Sequence, residues 1–229
     1  MAKERVPGSA DGAEVRVPGL AGELVFVPCL EARSRAEVFG LRQSIWATER
    51  RYLLANRAGL HPAEDPFDAE ALHFACRLDG ELVAACRWSP RGTLGFEAEH
   101  ACALPAGTLA EPARLLQISR VVVREDLRRR QVSELLLLLC CRHLLAHTAY
   151  ERWFALCAPR LAQHYVRFGA EELPGFEVQL ARREGNVYRL VRGGVASSIE
   201  RIGRSLAELG SACPWNLEGL APRPAAVAQ

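Results

Sequence analysis

The chain has 229 residues, of which 49% are hydrophobic and 24% are charged, and its formal net charge is +2. This length and composition predict one globular domain, and the small net charge predicts no nucleic-acid partner. Residues 1–22 hold no apolar run of signal-peptide length, and the apolar stretch Leu135–Cys141 is too short to span a bilayer. We therefore expect a cytoplasmic protein without membrane insertion.

Arginine supplies almost all of the positive charge, because Lys3 is the single lysine. This usage argues against lysine Schiff-base chemistry and suits forked recognition of phosphates and carboxylates. The eight cysteines form no CxxC pair, and most lie in apolar strand or helix patterns, which predicts buried free thiols and no metal site. They are Cys29, Cys76, Cys86, Cys102, Cys140, Cys141, Cys157 and Cys213.

The chain begins with a predicted strand, a helix and a polar loop. The strand covers Glu23–Val27, and Ser34 is a suitable N-cap for a helix that runs to about Leu54. Glu64–Asp68 lies in the acidic loop that follows.

A hairpin comes next. Strands over 72–78 and 81–88 flank Asp79 and Gly80, the residues that a type I′ turn favours. The resulting register pairs Leu72 with Arg87, Phe74 with Ala85, and His73, which we interpret as structural, with Cys86.

The second half of the chain predicts an alternation of strands and helices. Residues 89–113 form a long connection, with room for one short element, of a length often found over binding clefts. The elements that follow are a strand over 115–123, a helix over 132–147, a strand over 153–157, a helix over 160–168 closed by Gly169, and a hairpin of 176–184 with 187–191. The order β-α-β-β-β-α-β-α-β-β predicts a mixed α/β layer.

We divide the chain into a flexible N-terminal segment over 1–22, a main domain over 23–193, and a C-terminal helix over 194–229 with a disordered tail from residue 221. One face of the last helix is apolar, which predicts docking on the domain or a homodimer contact. Its residues are Val195, Ile199, Ile202, Leu206 and Leu209.

The most informative stretch joins strand 115–123 to the helix at 132 through residues 124–131, here called the basic turn. It contains Arg124, Arg128, Arg129 and Arg130. A strand, a basic loop and a helix start together suit a phosphate-bearing thioester, because a helix N-terminus offers free N–H groups to an anion.

The element order and the basic turn resemble the Gcn5-related N-acetyltransferase fold, a mixed sheet flanked by helices, here with a C-terminal helical extension. Over about residues 38 to 170 the chain resembles the branch of acyl-homoserine-lactone synthases and long-chain N-acyl amino acid synthases. The positions that carry the resemblance are Arg42, Trp46 and Glu49 on the first helix, Asp65 and Asp68 in the acidic loop, Arg87–Pro90, and Gln117–Arg120.

The resemblance implies an N-acyltransferase that moves an acyl group from an acyl-carrier-protein or acyl-CoA thioester to the amine of an amino acid or similar small molecule by direct attack. The thioester is a co-substrate, so no bound cofactor or metal is implied. By resemblance, the backbone N–H of Val121 or Val122 polarises the thioester carbonyl, and Tyr165 protonates the leaving thiolate. A core position for Tyr165 is the equal alternative.

Arg87 and Arg120 lie on apolar strand faces and need carboxylate partners. By resemblance, Asp65 or Asp68 pairs with Arg87 and shapes the acceptor pocket or contacts the acceptor, and Ser119 belongs to the same group. For Arg120 the partner is Glu49 or the acceptor's carboxylate.

The basic turn, together with Gln131 and Ser133, is expected to bind the donor's pantetheine phosphate or the acidic surface of a carrier protein. The alternative is a solvated loop. Two glycines of the superfamily's acyl-CoA signature are replaced within Arg128–Ser133, which favours a carrier protein over CoA.

A second departure is Gln117, which stands where the branch usually has Glu, so a candidate general base is missing. Glu97, Glu99, His100 or an ordered water are the replacements that we consider. Other functions also remain open: a CoA-dependent acetyltransferase of a metabolite or protein, a lactone-forming activity on S-adenosylmethionine, or a carrier-binding relative without turnover.

Overall fold

In the computed structural model, residues 14–19, 22–48, 63–180 and 186–220 are described. They form a mixed sheet of eight strands in the order β1-β2-β3-β4-β5-β6-β8-β7. The strands are β1 Val15–Gly19, β2 Gly22–Pro28, β3 Leu72–Leu78, β4 Glu81–Ser89, β5 Leu115–Val123, β6 Arg152–Cys157, β7 Glu171–Gln179 and β8 Val187–Gly194.

Helices cover both faces of the sheet. They are α1 Ala32–Thr48, α2 Glu97–Ala101, α3 Val132–His147, α4 Pro159–Arg167 and α5 Val195–Glu208. α1 packs through Val38 and Ile45 against one face. α3 lies on the other face and is covered in turn by α5, which explains why its sequence is apolar nearly all round.

β5 and β6 are the one parallel pair among the described strands, and their pairing is short. It joins Leu115–Gln117 to 152–154 and stops there, although both strands continue. Every other pair in the described sheet is antiparallel. The two strands therefore part beyond Gln117 and leave a wedge between them.

The predicted register of the β3–β4 hairpin is wrong by one residue beyond the turn. Leu78 and Glu81 are partners as predicted, but a β-bulge between Cys76 and Arg77 shifts the rest of the ladder. His73 therefore lies opposite Arg87 rather than Cys86, Leu72 opposite Trp88, and Phe74 opposite Cys86. A bulge of this kind has no strong sequence signature, because it depends on how the strand packs.

Several element bounds also differ from the prediction. The segment 1–22, predicted to be flexible, contains β1, which pairs with β2. α1 starts at Ala32, so the Ser34 hydroxyl donates to the Glu31 carbonyl from inside the first turn instead of capping the helix. β7 starts at Glu171, five residues before the predicted strand. The predicted helix end near Leu54 and the disordered tail lie outside the described residues.

The apolar face of α5 packs within the chain. Val195, Ile199, Ile202 and Leu206 are buried in the core that α3 shares, whereas Leu209 is exposed. Of the two predicted alternatives, the structure shows the last helix docked on the domain.

The eight cysteines are free, and six of them are buried. None of the helices in the described ranges combines the length and the apolar character that a bilayer crossing requires.

Candidate active site

A cavity of about 440 Å³ fills the wedge between β5 and β6. Its walls come from Ile118–Val121 on β5, from residues 155–157 on β6, and from α2 and α4. Trp46 of α1 also reaches it. The early end of strand pairing thus opens a space in the middle of the sheet, where backbone N–H groups and side chains of several elements meet.

A bulge in β5 brings the neighbouring side chains of Ser119 and Arg120 to the same face of the sheet. Ser119 lies opposite Arg87 and Val122 lies opposite Ala85, so two residues of β5 span the single position between them. Arg120 takes up the extra residue with a φ of +55°, a left-handed conformation that is strained for a side chain other than glycine. Such strain persists where the surroundings over-determine the conformation.

Four charged residues close into a ring, here called the ion ring. Asp65 bridges Arg87 and Arg120 over 2.6 Å to each, one carboxylate oxygen per arginine. Glu97 does the same from the other side, 2.6 Å from Arg120 and also bonded to Arg87. Arg87 completes its donors with a 2.9 Å bond from Nε to the Ser119 hydroxyl. Each carboxylate thus crosslinks β4 to β5.

A second buried group supports the ion ring from α1. Arg42 is fully buried and donates to Asp68 over 2.8 Å, and Asp68 also lies 3.2 Å from Arg87. The other Asp68 oxygen accepts the Asp65 N–H over 2.8 Å and so closes the turn that carries both aspartates. The ion ring and its support together contain three guanidinium groups and three carboxylates, so their charges balance.

His73 completes the support as a neutral residue. Its Nδ1 lies 3.1 Å from an Arg42 nitrogen, and its Nε2 lies 3.2 Å from the Asp68 carbonyl oxygen. These partners fit the tautomer in which Nε2 carries the proton. Burial and the neighbouring Arg42 charge lower the pKa of His73 to about 4, so the ring stays uncharged at neutral pH.

The two carboxylates of the ion ring stay ionised. Burial disfavours the charge on Asp65 and Glu97, but the Arg87 and Arg120 guanidinium groups outweigh burial and hold the pKa of each carboxyl below its usual value. Glu97 lines the cavity and keeps 24% of its side chain exposed. The cavity therefore has a fixed negative group beside a fixed positive one, Arg120, whose guanidinium lies 5.4 Å over the Trp46 ring.

Gln117 determines where Glu97 lies. Its side-chain carbonyl accepts the N–H of Ala98 over 3.1 Å, and the residue is buried. The bond fastens the first turn of α2 to β5, one residue from Glu97. A glutamine at position 117 thus supports a carboxylate supplied from α2.

The two predicted oxyanion donors, the N–H groups of Val121 and Val122, are directed at opposite edges of β5. Val122 lies opposite Ala85, and the nearby Arg124 N–H donates to the Val83 carbonyl over 2.8 Å. Since hydrogen-bonded positions alternate along an antiparallel pair, the Val122 N–H is directed at Ala85 and the Val121 N–H at the opposite edge. That edge faces the cavity, which Val121 lines.

Tyr165 of α4 lines the cavity from a buried position, with its ring centre 5.6 Å from that of Trp153. Burial raises the pKa of its phenol above the usual value, so the group keeps its proton at neutral pH. The ring belongs to the core, as one alternative predicted, and the residue also borders the cavity, so its role as a proton donor stays a prediction. Burial also raises the pKa of the nearby Cys157 thiol to about 12, which leaves it a poor nucleophile.

The basic turn lies outside the cavity lining. Arg124 is held by Asp126 at 2.7 Å and Glu81 at 2.8 Å, and Arg128 donates to the Val123 carbonyl over 3.1 Å. The side chains of Arg129 and Arg130 are exposed. At the start of α3, Gln131 has a φ of +54°, and the Ser133 hydroxyl donates to the Glu134 carboxylate over 2.7 Å.

The structure brings together most of the predicted acceptor-side residues and adds Glu97 as a shared partner of Arg87 and Arg120. Glu99 instead pairs with Arg91, and His100 bonds to the Leu94 carbonyl on the surface. Glu49, one predicted partner of Arg120, lies outside the described residues. The carboxylate pattern of α2 was visible in the sequence, but its approach to β4 and β5 depends on a long connection.

An eight-stranded mixed sheet with one splayed parallel pair and flanking helices defines the Gcn5-related N-acetyltransferase fold. Residues 37–178 match the family model described as N-acyl amino acid synthase FeeM. The chain belongs to this family, and it is an acyltransferase enzyme. A search of the curated protein sequences found no significant match.

Solved structures agree on the fold. BjaI, described as a CoA-dependent acyl-homoserine lactone synthase with SAM and isopentyl-CoA, is 14% identical with a TM-score of 0.61, covering 79% of this chain and 87% of its own. FeeM, an N-acyl amino acid synthase from uncultured soil microbes, is 10% identical with a TM-score of 0.59. The match covers 78% of this chain and 94% of FeeM. An N-acetyltransferase-like protein from Lactobacillus plantarum is 13% identical with a TM-score of 0.53. The match covers 75% of this chain and 98% of that protein.

We expect Asp68→Ala to lower the free energy of unfolding by about 3–5 kcal/mol, since it leaves the buried Arg42 without its carboxylate partner. Urea denaturation monitored by circular dichroism measures the change. Glu200→Ala is the matched control, because its pair with Arg204 is exposed on α5 and should contribute less than about 1 kcal/mol. An equal decrease in the free energy of unfolding in the two variants would show that the buried Arg42–Asp68 pair adds no more stability than an exposed pair.

Proposed function

We propose that this enzyme transfers a fatty or other acyl group from a carrier-protein or CoA thioester to the amine of an amino acid or similar small acceptor. The observation that carries the proposal is the cavity between β5 and β6, which joins the ion ring to the Val121 N–H and to Tyr165. An ionic wall suits a small zwitterion, and the backbone and phenol suit a thioester.

The acceptor is placed by the two ion-ring residues that line the cavity. Glu97 offers a carboxylate to the acceptor's amine, and Arg120 offers a guanidinium, 12% exposed, to its carboxylate. Opposite charges side by side match an amino acid, whose own charges are also adjacent. Arg87 shapes this wall from beneath without lining the cavity.

The donor enters on the side of the basic turn. Arg128, Arg129 and Arg130 suit the single phosphodiester of a carrier protein's pantetheine and the acidic surface around it. Glu134 lies in the first turn of α3, where a second phosphate charge would be repelled. We therefore favour a carrier-protein donor and keep CoA as the alternative, which the relative BjaI is described as using.

The reaction is direct aminolysis. The free amine attacks the thioester carbonyl carbon, the carbonyl oxygen gains negative charge opposite the Val121 N–H, and collapse of the intermediate breaks the carbon–sulfur bond. The Tyr165 hydroxyl donates its proton to the leaving thiolate, because the same buried surroundings that raise the pKa of the phenol also disfavour the thiolate anion. The proton lost by the nitrogen passes through water and restores the phenol. Glu97 orients the amine but is a weak base, because two arginines lower the pKa of its carboxyl.

Purified enzyme incubated with long-chain acyl-carrier protein, the matching acyl-CoA and a pool of amino acids tests the proposal, with products identified by mass. We expect an N-acyl amino acid, formed faster from the carrier-protein thioester. Addition of S-adenosylmethionine tests lactone formation in the same mixture. Preferential use of short acyl-CoA would indicate an acetyltransferase, and tight carrier binding without any product would indicate a binding protein.

Tyr165→Phe should lower kcat about 100-fold, because the leaving thiolate loses its proton donor. The change removes one hydroxyl and keeps the ring that packs near Trp153. Steady-state kinetics with a saturating donor measures the effect.

Tyr150→Phe is the matched control for this change, since Tyr150 is a partly buried tyrosine that does not line the cavity. Its kcat should stay within about twofold of the parent value, far from the range of general-acid effects. A similarly small change in Tyr165→Phe would reduce Tyr165 to a core residue.

A further inference from the structure

Residues 210–220, here called the C-terminal strap, follow α5 and run back across the protein. The Asn216 N–H donates to the Pro18 carbonyl over 2.7 Å, and Trp215 forms an antiparallel bridge with Gly19 of β1. Farther along, Arg142 of α3 donates to the Leu220 carbonyl over 2.6 Å. The strap is thus held at β1 and at α3, and it lies beyond the residues that match the family model.

Trp215 connects the strap to the basic turn. Its side chain is buried, and its indole N–H donates to the Arg130 carbonyl over 2.6 Å. The ring packs so closely on β1 that a Cβ at Gly19 would lie 2.4 Å from it. The indole therefore has one tightly defined position, and its N–H is directed at a single peptide group.

The peptide that Trp215 holds precedes a strained residue. Gln131 has a φ of +54° and ψ of +19°, the left-handed conformation that glycine adopts far more readily. Its carbonyl accepts the Leu135 N–H over 3.0 Å and so begins the hydrogen bonding of α3. No glycine relieves the strain, so the conformation depends on surrounding contacts, which include the Leu127–Arg130 bond inside the turn and the Trp215 bond from outside it.

We propose that Trp215 is a positioning residue for the thioester donor. By holding the Arg130–Gln131 peptide, it fixes the backbone from which the Arg128–Arg130 side chains extend and the direction of the first N–H groups of α3. The donor's phosphate then meets a preformed basic turn rather than one that must order on binding. This inference rests on the donor side of the proposed function.

Trp215→Phe keeps an aromatic ring and removes the N–H donor. The KM for the acyl-carrier protein should rise about 2- to 10-fold, the range that one neutral hydrogen bond spans, while kcat and the acceptor KM stay unchanged. Replacement of Trp215 by its benzothiophene isostere removes only the N–H and serves if the phenylalanine variant folds poorly. An unchanged donor KM in the isostere overturns the proposal.

Gln131→Gly provides the rescue. A glycine adopts the left-handed conformation without the side-chain penalty, so adding Gln131→Gly to Trp215→Phe should return the donor KM toward the parent value. Gln131→Gly alone is measured beside the double variant, so that any change in donor KM caused by loss of the glutamine side chain is accounted for. Absence of rescue overturns the proposal.

Arg142→Met is the matched control, because it releases the far end of the strap and leaves the indole bond in place. Its donor KM should stay within twofold of the parent value. An increase as large as that of Trp215→Phe would trace the effect to general loosening of the strap and overturn the proposal.

Hydrogen exchange separates this proposal from the proposed function. Amides at 128–134 should exchange faster in Trp215→Phe than in the parent enzyme, while those of β4 should not change. Unchanged exchange at 128–134 overturns the positioning role even in an active acyltransferase. Absence of acyl transfer by the parent enzyme, with the exchange difference present, overturns the proposed function and leaves the contact between the strap and the turn established.

Discussion

The ion ring is the interaction on which the rest of the site depends. Asp65 comes from a short turn, Arg87 from β4, Arg120 from the bulge of β5 and Glu97 from α2, so one closed set of charge-assisted bonds joins four separate pieces of chain. An unpaired charge at this depth would cost several kcal/mol, so each residue requires the others. The same bonds hold Arg120 in its strained backbone conformation.

The ring and the splayed strands act together. β5 is held to β4 by the ring and is released from β6 beyond Gln117, so its free edge faces a cavity instead of a neighbouring strand. Unpaired backbone groups are normally a liability in a sheet, but here they border a space of about 440 Å³. In the proposed reaction, the ionic wall receives the amine of the acceptor and the open edge receives the carbonyl of the thioester.

The sequence predicted the order of the main elements, because hydrophobic periodicity and turn residues are local signals. Short motifs also pointed to the arginines and aspartates of the ion ring and of its support. The bulges in the β3–β4 and β4–β5 pairs were not predictable, since each depends on packing across the sheet. Glu97 and Trp215 were missed in their observed roles because both act on partners distant in the chain.

Glu97→Gln, which removes the charge that faces the cavity and keeps the side-chain shape, tests the acceptor wall most directly. Loss of a hydrogen bond to a charged group should raise the acceptor KM about 10-fold or more and leave the donor KM within twofold. Glu99→Gln on the same helix is the control, because that carboxylate pairs with Arg91 outside the cavity. An unchanged acceptor KM in Glu97→Gln, or equal changes for donor and acceptor, would contradict the account.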